Sequence, residues 1–127
     1  IEDAHAAGSL VIGSFHDFDA TPSDDQLAEV LADMNYAGAD VLKFACMATS
    51  ATDAARVIGA QAWAREAYDR PVIGIAMGPS GAPTRLVGSA LGCAATFATL
   101  PGSEGSAPGQ FTIEQARTVL DIIEAQR

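Results

Sequence analysis

The chain has 127 residues, 49% of them apolar, and carries 16 Asp+Glu against 7 Lys+Arg, a formal charge of −9 at pH 7. That length and mixture describe one soluble globular unit, and so acidic a chain, with no cluster of basic residues, excludes a nucleic-acid partner. No apolar run approaches the ~18 residues that span a bilayer, and the opening Ile1-Glu2-Asp3 has no basic or apolar leader, so no membrane partner and a cytoplasmic location are expected.

The chain opens without a methionine, in what reads as the end of a helix from Glu2 to Ala7 closed by Gly8. A domain does not normally start there, so the chain is expected to continue a longer protein. Leu10-Val11-Ile12-Gly13-Ser14-Phe15 has the apolar, β-branched character of a buried strand. Thr21-Pro22-Ser23-Asp24 reads as a helix start, with Thr21 as the cap and Pro22 at the first position. Leu27, Val30, Leu31 and Met34 then mark one buried helical face, and Gly38 ends the helix.

The unit repeats. Residues 39–47 form a second apolar run, followed by a helix capped by Ser50 or Thr52 and continuing through Val57, Ile58 and Trp63 to about Tyr68. Residues 71–77 form a third strand, followed by a Gly/Pro/Ser loop and a helix from about Arg85 to Leu91. Residues 93–98 form a fourth, shorter strand, and the last helix is expected to bury Ile113, Ala116, Leu120 and Ile123. The four strands therefore fall near residues 10–15, 40–46, 71–77 and 93–98. Apolar strands alternating with helices indicate a parallel sheet covered by helices. A doubly wound sheet and part of a (β/α)₈ barrel both fit; a whole barrel needs roughly 250 residues, so this chain would be half of one. In either architecture the chemistry sits at the C-terminal ends of the strands.

Candidate residues fall at those ends. His16 follows the first strand and is either a structural hydrogen-bonding residue or a general acid and base; His5, in the opening helix, is expected to be a solvated surface residue. Lys43, the single lysine of the chain, lies inside an apolar strand. Its stem lies along the apolar surface with the ammonium in water, or the amine is desolvated and forms a Schiff base with a ketone or aldehyde. Arg85 is either a surface capping residue or a two-pronged carboxylate binder at a helix N-terminus. Residues 101–110 form either a flexible surface loop or a lid that offers Ser106 and Gln110 to a hydroxylated ligand. Cys46 and Cys93 read as buried reduced thiols, no metal-site spacing is present, and the glycine-rich loop lacks the Gly-Lys-Ser/Thr of an ATP site. No cofactor is expected.

Several segments, in one order along the chain, carry a resemblance. They are Ser14-Phe15-His16-Asp17-Phe18 with Thr21-Pro22; Gly38-Ala39-Asp40 leading to Lys43; Arg70-Pro71 and Met77-Gly78; Thr84-Arg85-Leu86-Val87-Gly88; Ala94-Ala95-Thr96-Phe97; and Ser106-Ala107-Pro108-Gly109-Gln110. Together they resemble type I 3-dehydroquinate dehydratase, the Schiff-base enzyme of the shikimate pathway. The resemblance implies the C-terminal half, βα units five to eight, of an α/β (β/α)₈ barrel, with residues 1–127 forming the half-barrel and the N-terminal half absent from this chain. It implies that Lys43 forms an imine with the C3 ketone of 3-dehydroquinate, that His16 moves the C2 proton to the departing C1 hydroxyl, and that Arg85, Ser106 and Gln110 bind the substrate. The glutamate that orients the histidine belongs, by the same resemblance, to the first four units, and a homodimer is implied. The chain departs from the family around the lysine, with Leu42 and Phe44 beside it and Ala48-Thr49 in place of a Pro-Gln pair, and has Thr84 where the family has serine. The alternatives are another lysine Schiff-base enzyme of the class I aldolase type, or a non-catalytic half-barrel that needs a partner half.

Overall fold

A computed structural model describes residues 1–126. Among them the sheet has three parallel strands in the order β1 (Ile12–Asp17), β2 (Val41–Met47), β3 (Val72–Met77). Helix α1 (Glu2–Ala6) precedes β1, α2 (Asp24–Tyr36) joins β1 to β2, and α3 (Ala51–Ala67) joins β2 to β3. The short α4 (Ala82–Val87) runs into a 3₁₀ turn at Gly88–Leu91, and α5 (Ile113–Glu124) closes the chain.

Period-two alternation along β2 sends Leu42, Phe44 and Cys46 to one face and Lys43, Ala45 and Met47 to the other. The first set packs with Leu27 and Leu31 of α2, with Ala54, Val57 and Ala64 of α3, and with Val72 and Ala76 of β3 in one continuous core. Phe44, at 0% exposure, is the largest of its fully buried side chains. Both connecting helices lie on the same face, and the strands follow one another in chain order. A doubly wound sheet would carry helices on both faces and reverse its strand order, so the arrangement is that of a barrel wall.

The opposite face holds Ala45, Ile73, Ile75 and Met77. It is only partly covered, and this corrects the expectation of a buried first strand. β1 is an edge strand whose Ile12 is 54% exposed, and Leu10 just before it is 81% exposed.

Three other expectations are corrected. Residues 93–98 are not a strand. The Ala94 N–H donates to the Val72 carbonyl as a fourth strand would (2.8 Å), but the next ladder partner is diverted. In a parallel ladder the Gly74 N–H would donate to the Ala94 carbonyl; here it donates to Gln61 Oε1 of α3 (3.0 Å), and the Cys93 thiol faces the Gly74 carbonyl. Gly74 permits this close approach, since a Cβ there would lie 2.9 Å from both Gln61 Oε1 and Phe44 Cζ. The last helix buries Ala116 alone, while Ile113 is exposed and Leu120 and Ile123 are half-buried, because it packs on α4 and the 3₁₀ turn rather than on the sheet. The cap of α2 is Ser23, which accepts from the Gln26 N–H in a reciprocal capping box; Thr21 instead donates its hydroxyl to the Met47 carbonyl (2.7 Å) and ties the β1 loop to the end of β2.

Ser50, not Thr52, caps α3 through the same reciprocal motif with Asp53. At the N-terminal end of the sheet, Asp40 accepts from the Val11 N–H (2.7 Å) and pairs with His5 Nε2 (2.8 Å), which fastens α1 and the start of β1 to β2. No helix among the described residues is long and apolar enough to cross a membrane.

Candidate active site

The parallel register sets Ser14 opposite Lys43 and His16 opposite Ala45. Ser14 and His16, two residues apart on β1, stand on the same face as Lys43, with His16 two residue pairs further along. The lysine stem reaches forward to both. Its Nζ donates to Ser14 Oγ at 3.0 Å and lies 2.9 Å from His16 Nε2, which accepts a second N–H when the neutral ring carries its proton on Nδ1. Phe18 stacks on the His16 ring at 5.7 Å, and Nζ sits 5.6 Å from the centre of the Phe97 ring.

Arg85 comes from the last turn of α4 and not, as expected, from a helix N-terminus, because α4 already begins at Ala82. The residue is 5% exposed. Its Nη2 donates to the Pro108 carbonyl (3.1 Å), while the buried Nε has no hydrogen-bond partner among the described residues. The guanidinium thus keeps a donor in reserve. Pro108 lies in the loop that carries Ser106 and Gln110. These two bond each other: the Ser106 N–H donates to Gln110 Oε1 and Gln110 Nε2 donates to Ser106 Oγ, each at 3.0 Å. Between them Gly109 takes φ +78°, and a Cβ there would lie 2.9 Å from the Gly78 carbonyl oxygen, so the loop packs directly on the turn after β3.

His16, Lys43, Arg85, Ser106 and Gln110 line one pocket of about 270 Å³, with Ala45, Ile75 and Met77 as its apolar floor. All five residues singled out in the sequence therefore meet at one place. Two features beside them were not foreseen in these positions: Ser14 as a partner of the lysine, and Phe97 over its amine. The signal for Ser14 was present, because residues i and i+2 of a strand share a face. No such periodicity locates Phe97, which sits in irregular chain.

Burial first, and the Arg85 charge second, lower the pKa of Lys43. Both make the neutral, nucleophilic amine easier to reach. Burial, followed by the Lys43 charge, lowers that of His16 and favours a neutral imidazole able to accept a proton. Burial also lowers that of Arg85, though a guanidinium stays charged. Among the described residues no hydrogen bond joins Asp17 to the His16 ring. Asp17 Oδ1 accepts from the N–H groups of Asp19 and Ala20 (3.0 and 2.9 Å). On the helix-covered face, burial and then Asp17 push the Cys46 thiol up to about 12.

The pattern that describes type I 3-dehydroquinase matches residues 1–127. The chain belongs to the type I 3-dehydroquinase family. Among curated relatives of this family, 3-dehydroquinate dehydratase of Klebsiella pneumoniae is 41% identical over 124 residues, covering 97% of this chain and 49% of the relative. The crystal structure of 3-dehydroquinate dehydratase from Geobacillus kaustophilus superposes with a TM-score of 0.92 at 37% identity, over 98% of this chain and 48% of that one. The type I enzyme of Clostridium difficile, solved with covalently modified comenic acid, superposes at 0.90 with 32% identity, over 99% of this chain and 49% of that one. The chain thus spans about half the length of the curated relatives it matches. Its three parallel strands match half of a type I 3-dehydroquinase barrel.

Proposed function

We propose that this chain supplies the C-terminal half, βα units five to eight, of a 3-dehydroquinate dehydratase barrel, and that its pocket carries the Schiff-base elimination of water from 3-dehydroquinate to give 3-dehydroshikimate. The reading rests above all on Lys43 Nζ lying 2.9 Å from His16 Nε2 beside a buried arginine, in a chain of this family. The partly uncovered sheet face and the unpaired edge of β1 are where the other half would dock, and relatives of twice the length support that.

The chemistry follows from the groups in the pocket. The Lys43 lone pair attacks the C3 carbonyl carbon, and one amine proton passes to the carbonyl oxygen. That oxygen takes up a further proton and leaves as water, so the nitrogen becomes an iminium that retains one hydrogen. His16 Nε2 accepts a proton from C2, and the freed electron pair forms the C2–C3 double bond as the iminium collapses to an enamine. The enamine then expels the C1 hydroxyl, to which His16 returns its proton, and a second water is released. One water hydrolyses the conjugated imine, returning the amine and the enone, so the net change is loss of one water. Arg85, which lines the pocket, offers its guanidinium to the substrate carboxylate, and Ser106 and Gln110 exchange part of their mutual bonding for substrate hydroxyls.

The test uses the complete enzyme, with both halves present. Incubation with 3-dehydroquinate should raise the absorbance of a conjugated enone. Borohydride added with substrate or product should attach one ligand irreversibly to the peptide containing Lys43, because hydride reduces the imine to a stable secondary amine. Lys43→Arg should abolish both. Turnover that persists in Lys43→Arg, or an adduct on another residue, overturns the assignment.

A further inference from the structure

Lys43 Nζ has two polar neighbours on β1, Ser14 Oγ at 3.0 Å and His16 Nε2 at 2.9 Å. A neutral primary amine has two N–H bonds and one lone pair. With one N–H directed at each neighbour, the lone pair is the only valence not committed to β1, which suits attack on a carbonyl. The arrangement changes once the imine exists, because the nitrogen then carries a single hydrogen. It can donate to Ser14 or to His16, but not to both.

We propose that Ser14 Oγ takes the iminium N–H and so releases His16 Nε2 to accept the C2 proton. This rests on the Schiff-base reading above and adds a residue to it. Were the N–H to stay on His16, its only basic lone pair would be occupied at the step that needs it. A serine hydroxyl accepts a hydrogen bond from a cationic N–H well, yet is far too weak a base to remove that proton. No proton moves to Ser14: the hydrogen remains on nitrogen, and the positive charge stays there to draw in the electrons from C2. The register keeps the serine in place for this, since Ser14 lies directly across the ladder from Lys43 while His16 lies two pairs nearer the strand ends. Ser14 is thus a positioning residue that divides two tasks between two acceptors.

The experiment compares Ser14→Ala, Ser14→Cys and Ser14→Thr in the complete enzyme. Ser14→Ala leaves His16 as the only one of the two acceptors. The kcat for dehydration should fall roughly tenfold or more, from the strength of a hydrogen bond to a charged group, while borohydride with product still traps one adduct on Lys43. With substrate deuterated at C2, the isotope effect on kcat should rise, because proton removal has become the slower step. A merely loosened fold would reduce the active fraction and leave the isotope effect where it was. Ser14→Cys, similar in volume but with a weakly accepting sulfur, should match Ser14→Ala, and Ser14→Thr, which keeps the hydroxyl, should restore both readouts. Unchanged kcat and isotope effect in Ser14→Ala and Ser14→Cys overturn the inference, as does trapping lost in step with kcat, which would place Ser14 at imine formation instead. A wild-type enzyme that forms no adduct on Lys43 overturns the dehydratase reading itself, a result distinct from a normal wild type whose Ser14 variants are indifferent.

Discussion

Gly109→Ala should cost the complete enzyme most of its efficiency without touching a reacting group. Gly109 sits at φ +78°, between the two substrate-binding candidates of its loop. A side chain in the left-handed region costs roughly 1–2 kcal/mol, and here the added Cβ would also lie 2.9 Å from the Gly78 carbonyl oxygen, a backbone atom that cannot rotate aside. The strain is relieved by lifting the loop off the turn after β3. That breaks the contacts the Pro108 carbonyl accepts from Arg85 Nη2 (3.1 Å) and from the Gly78 N–H (3.4 Å). A loop displaced at a cost of even ~1.4 kcal/mol is a tenfold change in its seated population. The kcat/KM for 3-dehydroquinate should therefore fall about tenfold or more, while borohydride trapping at saturating product persists, because Lys43 and His16 stand on strands. Gly102→Ala is the matched control: Gly102 has φ +77° in the same loop, but a Cβ there meets nothing within 4 Å. It carries the backbone cost alone and should keep most of its activity. Steady-state kinetics on the two variants side by side decide the matter, and equal losses in kcat/KM would refute the claim that the loop works by its seat on Gly78.

Phe44→Ala should destabilise the fold by about 3–5 kcal/mol, a large share of the ~5–15 kcal/mol of an ordinary domain, because the ring is wholly buried between α2, α3 and the sheet; the midpoint of urea unfolding measures it, and a loss under ~1 kcal/mol would contradict that placement. Arg85→Lys should weaken substrate binding by about tenfold or more despite keeping the charge, since an ammonium cannot make the parallel bonds of a guanidinium, and unchanged affinity would place Arg85 outside the site. Hydrogen bonds from the Val11 N–H and from His5 hold the Asp40 carboxyl below its ordinary range. Its contribution to stability is therefore complete above the unfolded value, about pH 4, and is lost as pH falls through the lower folded value. Asp40→Asn should flatten that part of the acid unfolding profile, and an identical profile would show that the cluster carries no such linkage.

Much of this architecture is legible along the chain. The runs around β1, β2 and β3 have the apolar continuity of parallel strands, and Leu27 and Leu31 mark the inward face of α2 at helical spacing. These are local signals, set by side-chain period and capping chemistry, and they survive whatever surrounds them. Position at a strand end was likewise enough to single out His16, and an amine in an apolar run was enough to single out Lys43.

Other properties depend on neighbours that the local pattern does not name. Whether residues 93–98 pair as a strand was decided by Gln61, which lies on another helix and takes the Gly74 N–H that the ladder required. Whether Ile113 and Ile123 are buried depends on what lies beneath α5, and hydrophobic spacing reports only that they could be. Arg85 reads as a surface residue or a ligand clamp in sequence. The burial of its guanidinium against Pro108, 23 positions away, decides that it is not a solvated cap. Short-range pattern is therefore enough to give three strands, their connecting helices and the reactive side chains, because all of these are written in local spacing. Which of those side chains share a pocket, in what order of contact and with what charge beside them, emerges from the folded arrangement alone, because distances across parallel strands are set by register and packing rather than by separation along the chain.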